Sequence, residues 1–326
     1  MYVKILSIKQ ILNQRLLPTF VFMFAQLLPL IQKGDHKAIA RSISLVENDV
    51  KGYHHFLRSL QGNPTTHLIG ITGPPGAGKS TIVDALIGHL IQQGRRIGVL
   101  CVDPSSPFHL GALLGDRIRM SQWYNHPQVY IRSLATRGSL GGLHPRIIEI
   151  TDILRAAPFD HIIIETVGVG QSEIEIAGLA DVTVVVLVPE AGDEIQTMKA
   201  GLMEIADIFI VNKSDRPDAD SFVKNLISML TPTSQSASHP ASSVIKTVAS
   251  NAEGIDLVLE KINNHLELAG NNEKKWLLLA EKAIHLIQSR AITTDSRNNL
   301  IASIQAEYLR PGFNFYKFVN DWENSR

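Results

Sequence analysis

The sequence predicts an α/β fold, with a mostly parallel central sheet flanked by helices and with helical extensions before and after it. Three observations predict it. Short apolar runs of strand length recur between residues 68 and 248 and alternate with stretches of helical periodicity, as strand–helix–strand units do. Residues 67–81 read HLIGITGPPGAGKST, a strand, a glycine-rich turn and a helix start in succession. Acidic or polar residues stand at the carboxyl ends of several apolar runs, where open parallel sheets bind their ligands.

The turn is the most informative stretch. Residues 68–72 suit a buried strand, and Gly73 to Ser80 matches G-x-x-x-x-G-K-[ST]. A phosphate site needs these residue types. Gly73, Gly76 and Gly78 let the backbone curl so that its N–H groups point at phosphate oxygens, with Pro74, Pro75 and Ala77 completing the loop. Lys79 reaches terminal phosphates as a point charge, and Ser80 supplies a hydroxyl to Mg2+. Thr81 continues the helix whose positive end faces the anion. A Gly/Pro-rich turn that merely carries Lys-Ser is the plainer alternative. The strand before it, and Ile82, Val83, Leu86, Ile87 and Leu90 at helical spacing after it, favour the phosphate site. The segment predicts a phosphate-loop NTPase.

Composition narrows the rest. A chain of 326 residues holds one large α/β domain with helical additions, or two small domains. Lys plus Arg and Asp plus Glu balance at 31 each, so bulk charge gives no basis for binding nucleic acid or an anionic membrane. The single cysteine, Cys101, excludes an internal disulfide and a zinc site built on several thiolates. Its place in the apolar run 97–102 makes it a core thiol. The adjacent pair His54-His55 is expected on a helix surface. Residues 16–31 are strongly apolar and follow Lys4, Lys9 and Arg15, as in a signal peptide or short membrane segment. Pro18 and Pro29 interrupt the run, it is short for a span, and no small-residue cleavage site stands out. The expectation is an intracellular helix, or an upstream extension with translation starting at Met23. Stable membrane insertion is not expected, and the expected location is cytoplasmic. The expected divisions are a helical extension over 1–62, a nucleotide domain over 63–266 and a helical region over 267–326.

Within the nucleotide domain, Asp103 ends the run 97–102 and can hold Mg2+ or its water; an aspartate starting a turn with Pro104 fits the local sequence equally well. Asp116 is a second candidate for the metal shell. The glycines and Arg137 of ATRGSLGGL suggest a loop near phosphates or a partner, with a solvated arginine the alternative. Residues 161–165 form a buried strand ending in Glu165, the position of the metal-directing carboxylate in phosphate-loop proteins. Glu165 to Gly168 also has the acid-x-x-Gly spacing by which the Gly168 N–H can sense a γ-phosphate. Many GTPases carry a water-orienting glutamine after that glycine. Here Val169 follows, and Gln171 comes two positions later, so slow intrinsic hydrolysis raised by a partner is expected.

Residues 207–211 form another strand and deliver Asn212-Lys213-Ser214-Asp215 at its carboxyl end. An aspartate there accepts hydrogen bonds from the N1–H and exocyclic amine of guanine, while Asn212 and Lys213 hold the loop and cover the base. The last strand, 244–248, runs into Ala249-Ser250-Asn251, whose amides can meet the guanine O6. The nucleotides implied are GTP and GDP with Mg2+.

With these residues assembled, the chain resembles the MeaB/ArgK family of GTPases. The matching stretches are GITGPPGAGKST, VDPSSPFHLGALLGDRIRM, RSLATRGSLGGL, IIIETVGVGQSE, PEAGDEIQTMKAG and NKSD, in family order over roughly residues 35–325. The resemblance implies a GTPase chaperone for adenosylcobalamin-dependent acyl-CoA mutases, chiefly methylmalonyl-CoA mutase, acting as a homodimer joined through C-terminal helices. It implies a magnesium shell of Ser80, Asp103, Asp116 and Glu165, with Asp215 and 249–251 around guanine. Asp193, Glu194, Gln196 and Lys199 fall in what looks like the family's additional switch, coupled to the mutase. Two features depart from the family: the apolar start before about residue 33, and a loop before Val244 without the tryptophan common there. A nickel-enzyme maturation GTPase shares the architecture but carries His-rich or Cys-His sites that this sequence lacks. A transport-associated ATPase or kinase is disfavoured by Asp215, and a signal-recognition-type targeting GTPase by the lack of a Met-rich domain.

Overall fold

The computed structural model describes residues 23–103, 120–137, 143–168, 173–191, 205–230, 243–268, 276–280, 283–284, 294–308, 317–318 and 322. The chain forms two compact units, residues 1–275 and 276–326. In the first, seven strands form one sheet: β1 (His67–Thr72), β2 (Ile97–Asp103), β3 (Val129–Ala135), β4 (His161–Glu165), β5 (Val182–Leu187), β6 (Ile208–Val211) and β7 (Ser243–Lys246). Their order is β3-β2-β4-β1-β5-β6-β7. Every pairing is parallel, so the expected mostly parallel sheet is wholly so among the described strands. β2, β4, β5 and β6 are buried at every position, which is why they read as unbroken apolar runs: both faces are covered.

Side chains alternate between two cores. Ile69, Ile71, Val99, Cys101, Ile163, Val184 and Ile210 pack beneath α3 (Lys79–Gln92) and α7 (Ile255–Leu268). Those helices contribute Ile82, Leu86, Leu90, Val258 and Ile262, so Cys101 is the buried thiol its surroundings predict. On the opposite face Val185, Leu187, Phe209 and Val211 meet Ala177 of α5 (Glu173–Leu179) and Phe222 and Leu226 of α6 (Ala219–Leu230). Gly70 lets α5 approach β1 closely. A Cβ there would stand 2.6 Å from Ile176 Cγ1 and 3.0 Å from Ala180 Cβ.

The helical pair expected over 35–60 is α1 (His36–Glu47) and α2 (Tyr53–Ser59). Asp35 caps α1, its carboxylate accepting from Ala38 N–H at 2.7 Å. His54 and His55 are exposed on α2 as expected. Residues 23–32 are helical, and Phe24, Leu27 and Ile31 are buried, with Phe24 stacked on Phe56 at 4.8 Å. Core packing thus accounts for the described part of the apolar stretch; residues 1–22 lie outside the described residues. No helix among the described residues is long and apolar enough to cross a membrane.

Charge ties this helical layer to the sheet edge. Arg132 of β3 donates to Glu47 Oε2 at 2.6 Å and to Ser44 Oγ at 3.1 Å. Arg137 is exposed, as the solvated-arginine alternative expects, and it also donates to the Glu47 carbonyl at 2.6 Å, which ties it to the end of α1. Arg146, just before α4 (Ile147–Arg155), pairs with Asp49 and Glu149 and lies over the Tyr53 ring. Among the described residues of the second unit are α8 (Thr294–Tyr308), helical turns at 276–280 and 283–284, and Phe318 stacked on Trp322.

Two buried histidines make stability depend on pH. Burial holds His144, beside Glu47, Arg137, Glu149 and Arg146, down at about 4 from 6.5. Burial and the neighbouring His67 hold His161 at about 4 as well, with Asp160 and Arg95 also acting on it. Their folded values lie below their unfolded ones, so the unfolded chain takes up protons first as pH falls. Their contribution is complete above pH 6.5 and is lost as pH falls towards 4. Urea midpoints are expected to drop across that window, and His144→Gln should flatten the drop. An unchanged slope in the variant would remove His144 from the account.

Candidate functional site

The glycine-rich loop lies between β1 and α3 at the carboxyl edge of the sheet, beside the point where strand order reverses around β1. Three glycines take a backbone conformation that side chains disfavour, and close approach also requires two of them, Gly73 and Gly78. Gly73, Gly76 and Gly78 have φ of 136°, 77° and 90°. A Cβ on Gly73 would run into the Val186 carbonyl, and one on Gly78 into the Asn212 amide. Lys79 opens α3 and is buried, its Nζ donating to Gly73 O at 2.9 Å and to Pro74 O at 3.1 Å. Lys213 Nζ donates to Gly76 O at 2.8 Å, and Asn212 Nδ2 donates to Ala77 O at 2.9 Å. Of the five carbonyls from Gly73 to Ala77, four, those of Gly73, Pro74, Gly76 and Ala77, are therefore held by side-chain cations or an amide. Apart from Ala77 N–H, which donates to Pro74 O at 3.3 Å, that capture turns the loop's N–H groups to where an anion would bind, next to the positive end of α3.

The carboxylates converge from neighbouring strands. Ser80 Oγ donates to Glu165 Oε1 at 2.7 Å, joining the start of α3 to the end of β4. Asp103 ends β2, the next strand, and both acids are buried. Glu165 registers with Ile71 on one side and Cys101 on the other, which leaves Asp103 two residues further along the edge. Gly168 closes the turn after β4 against the loop: a Cβ there would stand 2.5 Å from both Gly73 O and Lys79 Nζ. A hydroxyl and two buried carboxylates are oxygen donors that suit a small hard cation. Among the described residues no three His, Cys, Asp or Glu side chains group as a metal cage. Such a cation would need phosphate oxygens to complete its shell.

Beyond the phosphate loop, Gly78, Thr81, Asp215, Arg216, Ala249 and Ser250 are among the residues lining a pocket of about 240 Å3. Asn212 organises it. Its Oδ1 accepts from Thr247 Oγ1 and from Ala249 N–H, each at 3.1 Å, so one buried amide joins the Asn-Lys-x-Asp loop, the phosphate loop and the turn 249–251. Asp215 is exposed at the pocket wall. The fold thus gathers Gly73 to Thr81, Asp103, Glu165, Gly168, Asn212, Lys213, Asp215 and the turn 249–251 on one edge. Asp116, Gln171, Asp193, Glu194, Gln196 and Lys199 lie outside the described residues.

Two contributors escaped the sequence reading. Thr247 braces Asn212, and Arg216 lines the pocket while pairing with Glu190, whose carboxyl it holds below the usual range by a hydrogen bond. Arg216 directly follows the Asp215 motif, a signal that could have been used; Thr247 carries none outside the fold. A roomier pocket of about 570 Å3 lies at the opposite, amino ends of β1 and β4, lined by residues that include His67, Arg95 and His161. It holds none of the phosphate, metal or base residues, so chemistry rather than volume places the site at the carboxyl edge.

A phosphate loop, a carboxylate bonded to its serine and an Asn-Lys-x-Asp pocket on one parallel-sheet edge define a P-loop GTPase. The chain matches the family model described as methylmalonyl Co-A mutase-associated GTPase MeaB over residues 39–300, and it belongs to that family. A putative GTPase of Pyrococcus horikoshii is 46% identical over 299 residues, covering 90% of each chain. The mouse mitochondrial methylmalonic aciduria type A homolog is 39% identical over 198 residues, 56% of this chain and 48% of its own. Among solved structures, a LAO/AO transport system kinase aligns over 92% of this chain and 96% of its own with a TM-score of 0.65. At 22% identity that likeness shows the fold alone.

Asn212→Ala would strand the Ala77 carbonyl, the Ala249 N–H and the Thr247 hydroxyl. It is expected to cost about 1–3 kcal/mol of stability and to weaken guanine-nucleotide binding by roughly tenfold or more. Chemical denaturation and fluorescent-nucleotide titration measure the two effects. Normal affinity in the variant would show that the loop holds its shape without the amide.

Proposed function

We propose that the chain is a magnesium-dependent GTPase that serves as chaperone to an adenosylcobalamin-dependent acyl-CoA mutase, most specifically methylmalonyl-CoA mutase. It gates cofactor loading and protects the client. The observation that carries the guanine part is Asp215 in a pocket continuous with the phosphate loop through Asn212 and Lys213. Support for the client comes from the family description and from the printed name of the mouse relative.

In this reading Gly73 to Thr81 and Gly168 bind the phosphates, and Asn212, Lys213, Asp215 and 249–251 bind the base. Ser80, Asp103, Asp116 and Glu165 hold Mg2+, which when bound neutralises phosphate charge. Lys79 stabilises charge on the terminal phosphates, giving up its carbonyl contacts to do so. Glu165 keeps the Ser80 hydroxyl oriented. Gln171, Gln196 and Lys199 complete the catalytic set, with a partner raising a slow intrinsic turnover. Residues 267–326 form the partner region, joining two copies of the chain, after an extension over 1–62 and a GTPase domain over 63–266.

Steady-state hydrolysis of GTP, with ATP as control, tests the reading with and without purified methylmalonyl-CoA mutase. Slow GTP-selective turnover accelerated by the mutase is expected. GTP turnover indifferent to the mutase would remove the client, and preference for ATP would remove the base assignment.

Asp215→Asn exchanges the carboxylate that accepts from guanine for an amide that presents a donor. The variant is expected to lose its selectivity for GTP in a competition titration against ATP and XTP. Undiminished GTP preference would mean that Asp215 does not read the base.

A further inference from the structure

The carboxyl edge holds one buried polar contact that no nucleotide motif requires. β1 and β4 run in register up to Ile71 and Glu165. One residue further, Thr166 N–H donates to Ile71 O at 3.0 Å, and Thr166 Oγ1 donates to Thr72 Oγ1 at 2.8 Å. Thr72 is 0% exposed and Thr166 2%. Valine has nearly the same shape and carries no hydroxyl to desolvate, so packing alone would be served as well by two valines. A hydroxyl pair adds direction, because its geometry is narrow where apolar contact is not.

What that direction fixes is the turn from Glu165 to Gly168. At one end Glu165 accepts from Ser80 at 2.7 Å. At the other, Gly168, with φ of 86°, backs onto Gly73 and Lys79 with no room for a side chain. Thr166 stands between these ends, and Thr72 is the residue before the loop's first glycine. A shift of a few tenths of an ångström at Thr166 would move both the carboxylate and the Gly168 N–H relative to the loop.

We propose that Thr72 and Thr166 are a positioning pair that sets the Glu165–Gly168 turn against the phosphate loop, so that the turn distinguishes a nucleotide with a terminal γ-phosphate from one without. The inference rests on the GTPase reading above. The pair acts through its neighbours and touches no reacting atom. Its loss lowers turnover and the preference for GTP over GDP, while GDP affinity, which depends on the loop and the base pocket, stays.

The test uses the full chain and four variants, T166V, T166S, T72V and T72V/T166V. Single-turnover GTP hydrolysis, GTP and GDP affinities by fluorescent-nucleotide titration, and thermal unfolding are measured on each. The expected result for T166V is a kcat about fivefold to tenfold lower, with GDP affinity within about twofold of wild type. T166S should recover most of the loss because it keeps the hydroxyl. The double variant should lose no more than either single one, since one bond is removed in all three. T72V reports on the same bond from its other end should T166V fail to fold. Lowered thermal stability with unchanged kcat and unchanged GTP-over-GDP preference would overturn the proposal and leave the pair merely structural; additive losses would overturn it too. A wild-type chain that binds no guanine nucleotide would overturn the GTPase reading itself, a result distinct from both.

Discussion

The nucleotide edge depends on how the phosphate loop's carbonyls are disposed of. A peptide that turns its N–H towards an anion must turn its C=O away, and a buried C=O needs a donor. Here Lys79 takes the carbonyls of Gly73 and Pro74, Lys213 takes that of Gly76, and Asn212 takes that of Ala77. The donors come from the loop's own helix and from the end of β6, three strands of sheet order being enough to bring residue 212 onto residue 77. Base pocket and phosphate loop are therefore one hydrogen-bonded body, with Asn212 at its centre.

The same economy appears at the other sheet edge. Glu47 receives Arg132 through its carboxylate and Arg137 through its carbonyl, with His144 3.8 Å away. The buried Glu47 carboxylate is tolerable because the Arg132 guanidinium meets it. The apolar residues of 23–31 then close over α2, where Phe24 meets Phe56. Helices that could have stood apart from the nucleotide domain are instead part of its packing.

Likeness to known proteins carries different weight at different ranges. Matching over residues 39–300 and 46% identity across nearly a whole relative place the chain in its family. A TM-score of 0.65 at 22% identity speaks for the layered parallel sheet and no further. The client is proposed from the family description and the mouse relative's name, and experiment decides it.

The phosphate loop, Glu165, the Asn-Lys-x-Asp loop and the strands that carry them are readable from the sequence by itself. Their signals are local: glycines where the backbone must curl, an acid or amide where an apolar run ends, unbroken apolar runs where both faces are covered. Tertiary structure alone decided what those residues do to one another. Arg137 reads as a phosphate or solvent residue, and it also bonds the Glu47 carbonyl, 90 residues away in sequence. Thr247 looked like any strand-end threonine until β6 and β7 paired and set it against Asn212. Thr72 and Thr166 lie 94 residues apart and meet only because β1 and β4 are neighbours in the sheet. A motif is written along the chain, whereas a hydrogen bond between distant residues is set by strand order and register, which no short stretch of sequence contains.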